Sequence, residues 1–220
     1  EFRRVLFRSL QSQIALAQIA LAKGDKQAYV RGLEAAKASN PGSITPVVYL
    51  VDHYTRNNNL DRALGEARTF QTNYPNSDQA RSLMARIQIA RNELAAAKFL
   101  LQSFIKNNPQ DIAHRYKLAE ILVSEDDMGA ALRSIDEILE IDPRNLPTLG
   151  LKAKALIGGK DYIAAEKVIE LIDNEFPESA GDEQLRGDLH LAKQEFEAAL
   201  EDYRRAYEQA KDPYLVNAIP

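Results

Sequence analysis

Residues 108–143 read NPQDIAHRYKLAEILVSEDDMGAALRSIDEILEIDP. Two stretches with helical spacing of apolar residues flank the polar tripeptide Glu125-Asp126-Asp127, and an Asn-Pro and an Asp-Pro pair close the two ends. A residue before proline is pushed out of the helical region, so each pair reads as a helix stop. The same mark recurs along the chain. Five of the nine prolines, Pro41, Pro75, Pro109, Pro143 and Pro177, lie 34 residues apart, preceded by Asn40, Tyr74, Asn108, Asp142 and Phe176. Midway between them stand Lys23-Gly24-Asp25, Asn57-Asn58-Asn59, Arg91-Asn92-Glu93, Glu125-Asp126-Asp127, Gly158-Gly159-Lys160 and Lys193-Gln194-Glu195. These are rich in residues that favour tight turns over helix interiors. Each unit is therefore helix, short turn, helix, proline, and the period sets six units at 10–43, 44–77, 78–111, 112–145, 146–179 and 180–213.

Within the units, small residues fall where two helices must approach closely. In the first helix the position is Ala17, Val51, Ala85, Ala119, Ala153 and Gly187; in the second it is Tyr29, Ala63, Ala97, Ala131, Ala165 and Ala199, with Tyr29 as the exception. Four residues later come Leu33, Ala67, Leu101, Ile135, Ile169 and Tyr203, and three further on Ala36, Phe70, Phe104, Ile138, Ile172 and Ala206. These offsets place all three on one helical face. On these residues Leu10 to Pro213 resembles the tetratricopeptide repeat family, which implies an all-α fold: a right-handed superhelical solenoid of antiparallel helix pairs. The chain departs from the family pattern in lacking tryptophan and in keeping the first-helix aromatic only at Tyr54; Ala20, Gln88, Leu122, Leu156 and His190 hold that position elsewhere. Lys211 stands where a sixth proline would fall.

The ends read differently from the array. Glu1–Ser9, EFRRVLFRS, resembles a common short-read sequencing adapter translated in frame and is left out of the fold argument as non-native. At the other end Asp212-Pro213-Tyr214 is followed by apolar residues, so 214–220 reads as the truncated start of a seventh repeat.

Composition excludes several kinds of chemistry. With 220 residues, 45% apolar and 27% charged, the chain can bury a core. A formal charge of −4 is no footprint for nucleic acid or anionic lipid. The absence of cysteine removes disulfides, thiolate zinc sites, iron–sulfur clusters and cysteine nucleophiles. No apolar run approaches the roughly 18–20 residues of a membrane helix. His53, His114 and His190 lie in three repeats at three repeat positions, without metal-ligand spacing. Gly158-Gly159-Lys160 occupies the turn slot of the repeat and lacks the strand and second glycine of a phosphate loop. No catalytic, cofactor or metal site is expected, and no enzymatic activity.

Binding is the expected use, because stacked first helices line an extended concave face. One inner position reads Gln18, Asp52, Arg86, Glu120, Lys154 and Asp188, alternating in sign from Asp52 onward. Side by side at about 8–10 Å, these side chains can form an internal ion ladder, or else display both charges to a ligand. Tyr49, Ile89, Tyr116, Val123 and Ile157 are candidates for an apolar groove that takes a helix or an extended segment of a protein partner. Tetratricopeptide co-chaperones hold acidic tails with a basic, Asn-rich clamp; the corresponding slots here include Ile14, Val48, Ser82, Tyr116 and Gly150, which do not form one.

Residues 161–206 carry a narrower resemblance. Asp161-Tyr162-Ile163-Ala164-Ala165-Glu166, Leu185 to Ala192 and Ala198 to Ala206 are similar to bacterial tetratricopeptide lipoproteins that accompany exopolysaccharide production and PEP-CTERM protein sorting. That resemblance implies a non-catalytic envelope scaffold in the periplasm or anchored to the outer membrane. A cytosolic adaptor that binds a peptide or helix, and an assembly factor for outer-membrane proteins or secretion, stay open as alternatives.

Overall fold

The computed structural model describes residues 9–177 and 182–210, and these contain twelve helices and no strand. They pair as α1 (Leu10–Ala22) with α2 (Lys26–Ser39), α3 (Thr45–Arg56) with α4 (Leu60–Asn73), and α5 (Asp78–Ala90) with α6 (Leu94–Asn107). Then come α7 (Ile112–Ser124) with α8 (Met128–Ile141), α9 (Leu146–Gly158) with α10 (Tyr162–Glu175), and α11 (Asp182–Ala192) with α12 (Phe196–Ala210). Of the opening segment 1–9, Ser9 is described and caps α1, accepting from the Ser12 N–H, while residues 1–8, and 214–220, read above as the start of a seventh repeat, lie outside the described residues.

Local chemistry sets every boundary. Each hairpin turns on one residue with positive φ, namely Gly24, Asn58, Asn92, Asp126, Lys160 and Gln194, again 34 residues apart. The next residue donates its N–H to the carbonyl five residues before it, Asp25 to Ala20 at 2.9 Å and Asn59 to Tyr54 at 2.8 Å. The positive-φ residue itself donates to the carbonyl three residues before it, as Gly24 does to Leu21 at 2.9 Å. This is the Schellman closure of a helix C-terminus, repeated in all six turns. The residue that closes one helix then opens the next. The Asp25, Asn59, Asp127 and Asp161 side chains accept from the N–H of Ala28, Arg62, Ala130 and Ala164. The second helices stop at Ser39, Asn73, Asn107, Ile141 and Glu175, two residues before each proline. The intervening Asn40, Tyr74, Asp142 and Phe176 have φ of −137°, −133°, −136° and −137°. That is the extended backbone which the proline ring imposes.

By contacts the chain divides into two compact units, 1–104 and 105–220. In the first, Ile14, Leu33, Val47, Leu50, Phe70 and Leu83 belong to one buried cluster drawn from α1 to α5. In the second, Leu149, Leu156, Ile169, Ile172 and Leu185 form one cluster, and Ala119, Ile135, Leu151 and Ala155 form another. Full burial of one such Leu or Ile is worth roughly 1.5–3 kcal/mol.

All twelve close-approach positions are buried, including Tyr29 at 4% exposure. In the first hairpin the exception at Tyr29 is met by a glycine that the repeat pattern had not singled out. A Cβ on Gly32 would stand 3.1 Å from the Ala17 Cβ, so Gly32 makes the helix approach that alanine makes elsewhere. The last hairpin solves the same problem in reverse, because a Cβ on Gly187 would lie 2.7 Å from the Tyr203 ring.

Candidate functional site

Successive first helices lie against each other within each unit: α3 against α5, and α7 against α9 and α9 against α11. In the first unit this places Tyr49, Asp52, Arg86 and Ile89 on neighbouring helices. Arg86 Nη2 donates to Asp52 Oδ1 at 2.5 Å, one repeat period apart. Arg86 is half-exposed at 53% of its side chain, so the pair is worth at most about 1 kcal/mol in water. Tyr49 and Ile89 are half-buried beside it; Tyr49 packs against the unit's core and its carbonyl accepts from Tyr29 Oη at 3.5 Å.

In the second unit the alternating charges take other partners. Glu120 accepts from Lys117 Nζ at 2.7 Å, one turn away on its own helix. Asp188 accepts from Tyr203 Oη at 2.7 Å. Lys154 is exposed and has no ion pair among the described residues, while its neighbour Lys152 donates to Asp136 Oδ1 at 2.7 Å. Tyr116, Val123 and Ile157 are half-buried against the unit's core clusters, each with one edge in water. The Lys117 ammonium stands 5.8 Å from the Tyr116 ring centroid. Burial, and after it the Glu120 charge, raises the Tyr116 phenol above its ordinary value. At the clamp slots Ile14 is buried, and Val48, Ser82 and Gly150 are half-buried.

The histidines have separate roles in packing. His53 lies between Tyr29 and Tyr54, with ring centroids 5.2 and 5.6 Å away. His114 shares a 2.8 Å hydrogen bond with Asp111, the residue that caps α7. His190 Nδ1 is 2.5 Å from Asp202 Oδ2, and Asp202 is 1% exposed. Arg205 also binds Asp202, so this buried carboxylate has two side-chain partners. Asp202 was not legible in the sequence as a buried group, because its neighbours Glu201 and Arg204 are exposed and its polar spacing reads as a solvated face. Among the described residues no cluster of three or more His, Asp or Glu is placed to hold a metal, and no helix is long and apolar enough to cross a membrane.

Helix pairs of constant period, closed by one repeated turn and laid first helix beside first helix, define the tetratricopeptide class of helical repeat folds. Solved structures share it with this chain. A tetratricopeptide repeat protein from Parabacteroides merdae is 16% identical with a TM-score of 0.65, over 95% of this chain and 96% of that one. TTC0263, a thermophilic protein of Thermus thermophilus, is 18% identical with a TM-score of 0.62, over 80% and 96%. YrrB, described as a tetratricopeptide protein with an unusual peptide-binding site, is 17% identical with a TM-score of 0.58, over 83% and 94%. No family model matches the sequence, and no curated protein matches it.

Proposed function

We propose that this chain is a non-catalytic protein–protein interaction scaffold whose first helices take an apolar helix or extended segment of a partner. One observation carries the reading: Tyr49 and Ile89 in the first unit, and Tyr116, Val123 and Ile157 in the second, are apolar or aromatic residues of first helices that stay only half-buried. Half-buried aromatic and aliphatic residues can anchor a partner at small entropic cost, because their rotamers are already fixed. The peptide-binding site ascribed to YrrB, on a similar fold, supports the same use.

The charges at Asp52 and Arg86 bind each other, and Glu120 and Asp188 are engaged by Lys117 and Tyr203. These contacts leave apolar surface as the main source of affinity, with Lys154 an exposed cation that has no ion pair among the described residues. The test is fluorescence anisotropy with a panel of labelled amphipathic and polar peptides. An apolar amphipathic peptide should bind, and Tyr116→Ala with Ile157→Ser should weaken it at least tenfold, whereas Phe99→Ser on a second helix should not. Equal binding by all variants would refute the reading.

The finer role, an envelope lipoprotein that organises exopolysaccharide export or PEP-CTERM sorting, rests on the resemblance of residues 161–206. It is tested by the start of the intact gene. A signal sequence ending in a lipidated cysteine supports it, and a plain cytosolic start favours the adaptor.

A further inference from the structure

A cavity of about 340 Å³ opens in the first unit, away from the half-buried first-helix residues described above, between the start of α2, the end of α3 and the start of α4. Its walls include Lys26, Val30, His53, Tyr54, Asn57 and Arg62, and no carboxylate lines it. Repeat register shows why it exists. The slot of Lys26 is filled elsewhere by Leu60, Leu94, Met128, Tyr162 and Phe196. In the second unit these fillers close the gap to the next turn: a Cβ on Gly158 would lie 2.5 Å from Met128 Cε, and Tyr162 Oη donates to the Ala192 carbonyl at 3.2 Å. Lys26 does not fill the gap; its Nζ donates to Asn57 Oδ1 at 3.3 Å.

Two more departures meet at the same place. The slot of Arg62 is alanine in the other five repeats, at Ala28, Ala96, Ala130, Ala164 and Ala198. The slot of His53 is Ile19, Ile87, Ile121, Ala155 and Leu189 elsewhere. Three cationic or titratable side chains thus replace apolar ones at one boundary and face one cavity. Neither Lys26 nor Arg62 has an ion pair among the described residues; Arg62 lies over the Tyr54 ring with its guanidinium carbon 5.8 Å from the centroid. The nearby carboxylates are committed, Asp25 to capping α2 and Asp61 to Arg91. Burial, and after it the Lys26 charge, holds His53 below the ordinary imidazole value, as expected where positive charge is uncompensated.

We infer that this cavity binds a carboxylate carried on a short aliphatic stem, with Arg62 and Lys26 on the carboxylate and Val30 and Tyr54 along the stem. A guanidinium 5.8 Å from an aromatic centroid and without a carboxylate partner among the described residues keeps its N–H donors available to a planar carboxylate. The Asp25 and Asn59 side chains each take one of the helix N-terminal N–H groups at this edge, from Ala28 and Arg62, which leaves fewer backbone donors for a phosphate. The volume suits a small ligand or one acidic side chain. The inference is independent of the apolar surface on the first helices.

The experiment is an NMR titration of the full chain with three probes: glutarate, an acetylated triglutamate peptide and inorganic phosphate. Saturable shifts of the Asn57 and Asn59 side-chain amides and of the His53 ring are expected with glutarate. A matching response to triglutamate assigns the carboxylate to a peptide, and a response to glutarate alone assigns it to a free metabolite. Arg62→Ala and Lys26→Met, which install the residues of other repeats and should fold, are each expected to weaken binding at least tenfold. Absence of saturable shifts, equal affinity in both folded variants, or binding of phosphate but neither carboxylate would overturn the inference.

Discussion

Gly187→Ala tests the packing argument most sharply, because two effects of known sign oppose each other. In a helix interior the change from glycine to alanine gains about 0.8–1.0 kcal/mol of helix propensity. Here the new Cβ would meet the Cδ1 and Cε1 atoms of Tyr203 at 2.7 Å and its Cζ at 3.1 Å. The tyrosine cannot swing away without breaking the 2.7 Å bond from its hydroxyl to Asp188. Overpacking of this kind costs about 1–3 kcal/mol, so the variant should lose about 0–2 kcal/mol net. One repeat earlier, the same two slots hold Ala153 and Ile169. Tyr203→Ile alone should be destabilising, since it leaves a void beside Gly187 and loses a hydrogen bond worth about 1 kcal/mol. The double variant restores the Ala–Ile pair, and the cycle should show a favourable coupling of about 1–3 kcal/mol. Urea denaturation followed by circular dichroism gives the four stabilities, and hydrogen exchange in α11 and α12 shows whether the effect is local. A Gly187→Ala protein stabilised by the full propensity gain, with coupling below about 0.5 kcal/mol, would refute the reasoning.

Other perturbations follow from the turns and the buried charges. Lys160 and Gln194 sit at φ of 62° and 65°, where a side chain costs about 1–2 kcal/mol, so Lys160→Gly and Gln194→Gly should each raise stability by about 0.5–1 kcal/mol in thermal melts. His190→Ala leaves Asp202 buried with one partner fewer and should cost about 1–3 kcal/mol by urea denaturation, whereas Asp52→Ala at the exposed pair with Arg86 should stay within about 1 kcal/mol. Burial, with the hydrogen bond to Glu183 next, pushes Asp182 up to about 6. Its folded value is above the unfolded one near 3.9, so its contribution is complete below about pH 4 and is lost as pH rises through about 6. Unfolding free energies measured from pH 4 to 7 should therefore decline for the wild type relative to Asp182→Asn.

The helices and turns were legible because backbone rules act over a few residues. A proline every 34 residues and a polar tripeptide between fix where helices stop, and the six positive-φ residues fall inside those tripeptides. The small-residue positions were legible because close helix approach tolerates few side chains. Two things were not. Compensation between slots hid Gly32, since the space that Tyr29 occupies is recovered three residues away on the same helix. Charge pairing was hidden because long side chains take the nearest partner. Glu120 has Lys117 one turn away on its own helix, and that contact needs no neighbouring repeat. The departures at Lys26, His53 and Arg62 could have been found by aligning the six units slot by slot and asking where polarity changes, which the search for small residues does not do.

The size match between Gly187 and Tyr203 has a consequence for recombination among such arrays. The volume removed on one helix is returned on its partner across a single turn, as Val51 stands with Ala67 and Ala153 with Ile169 in the same slots. A hairpin exchanged whole carries both halves of that match and the Schellman turn that aligns them. A crossover inside the turn would join a glycine to an isoleucine, or an alanine to a tyrosine, and leave either a void or a clash. Natural and engineered chimaeras that exchange the last hairpin should therefore tolerate a breakpoint at Pro177 far better than one at Gln194.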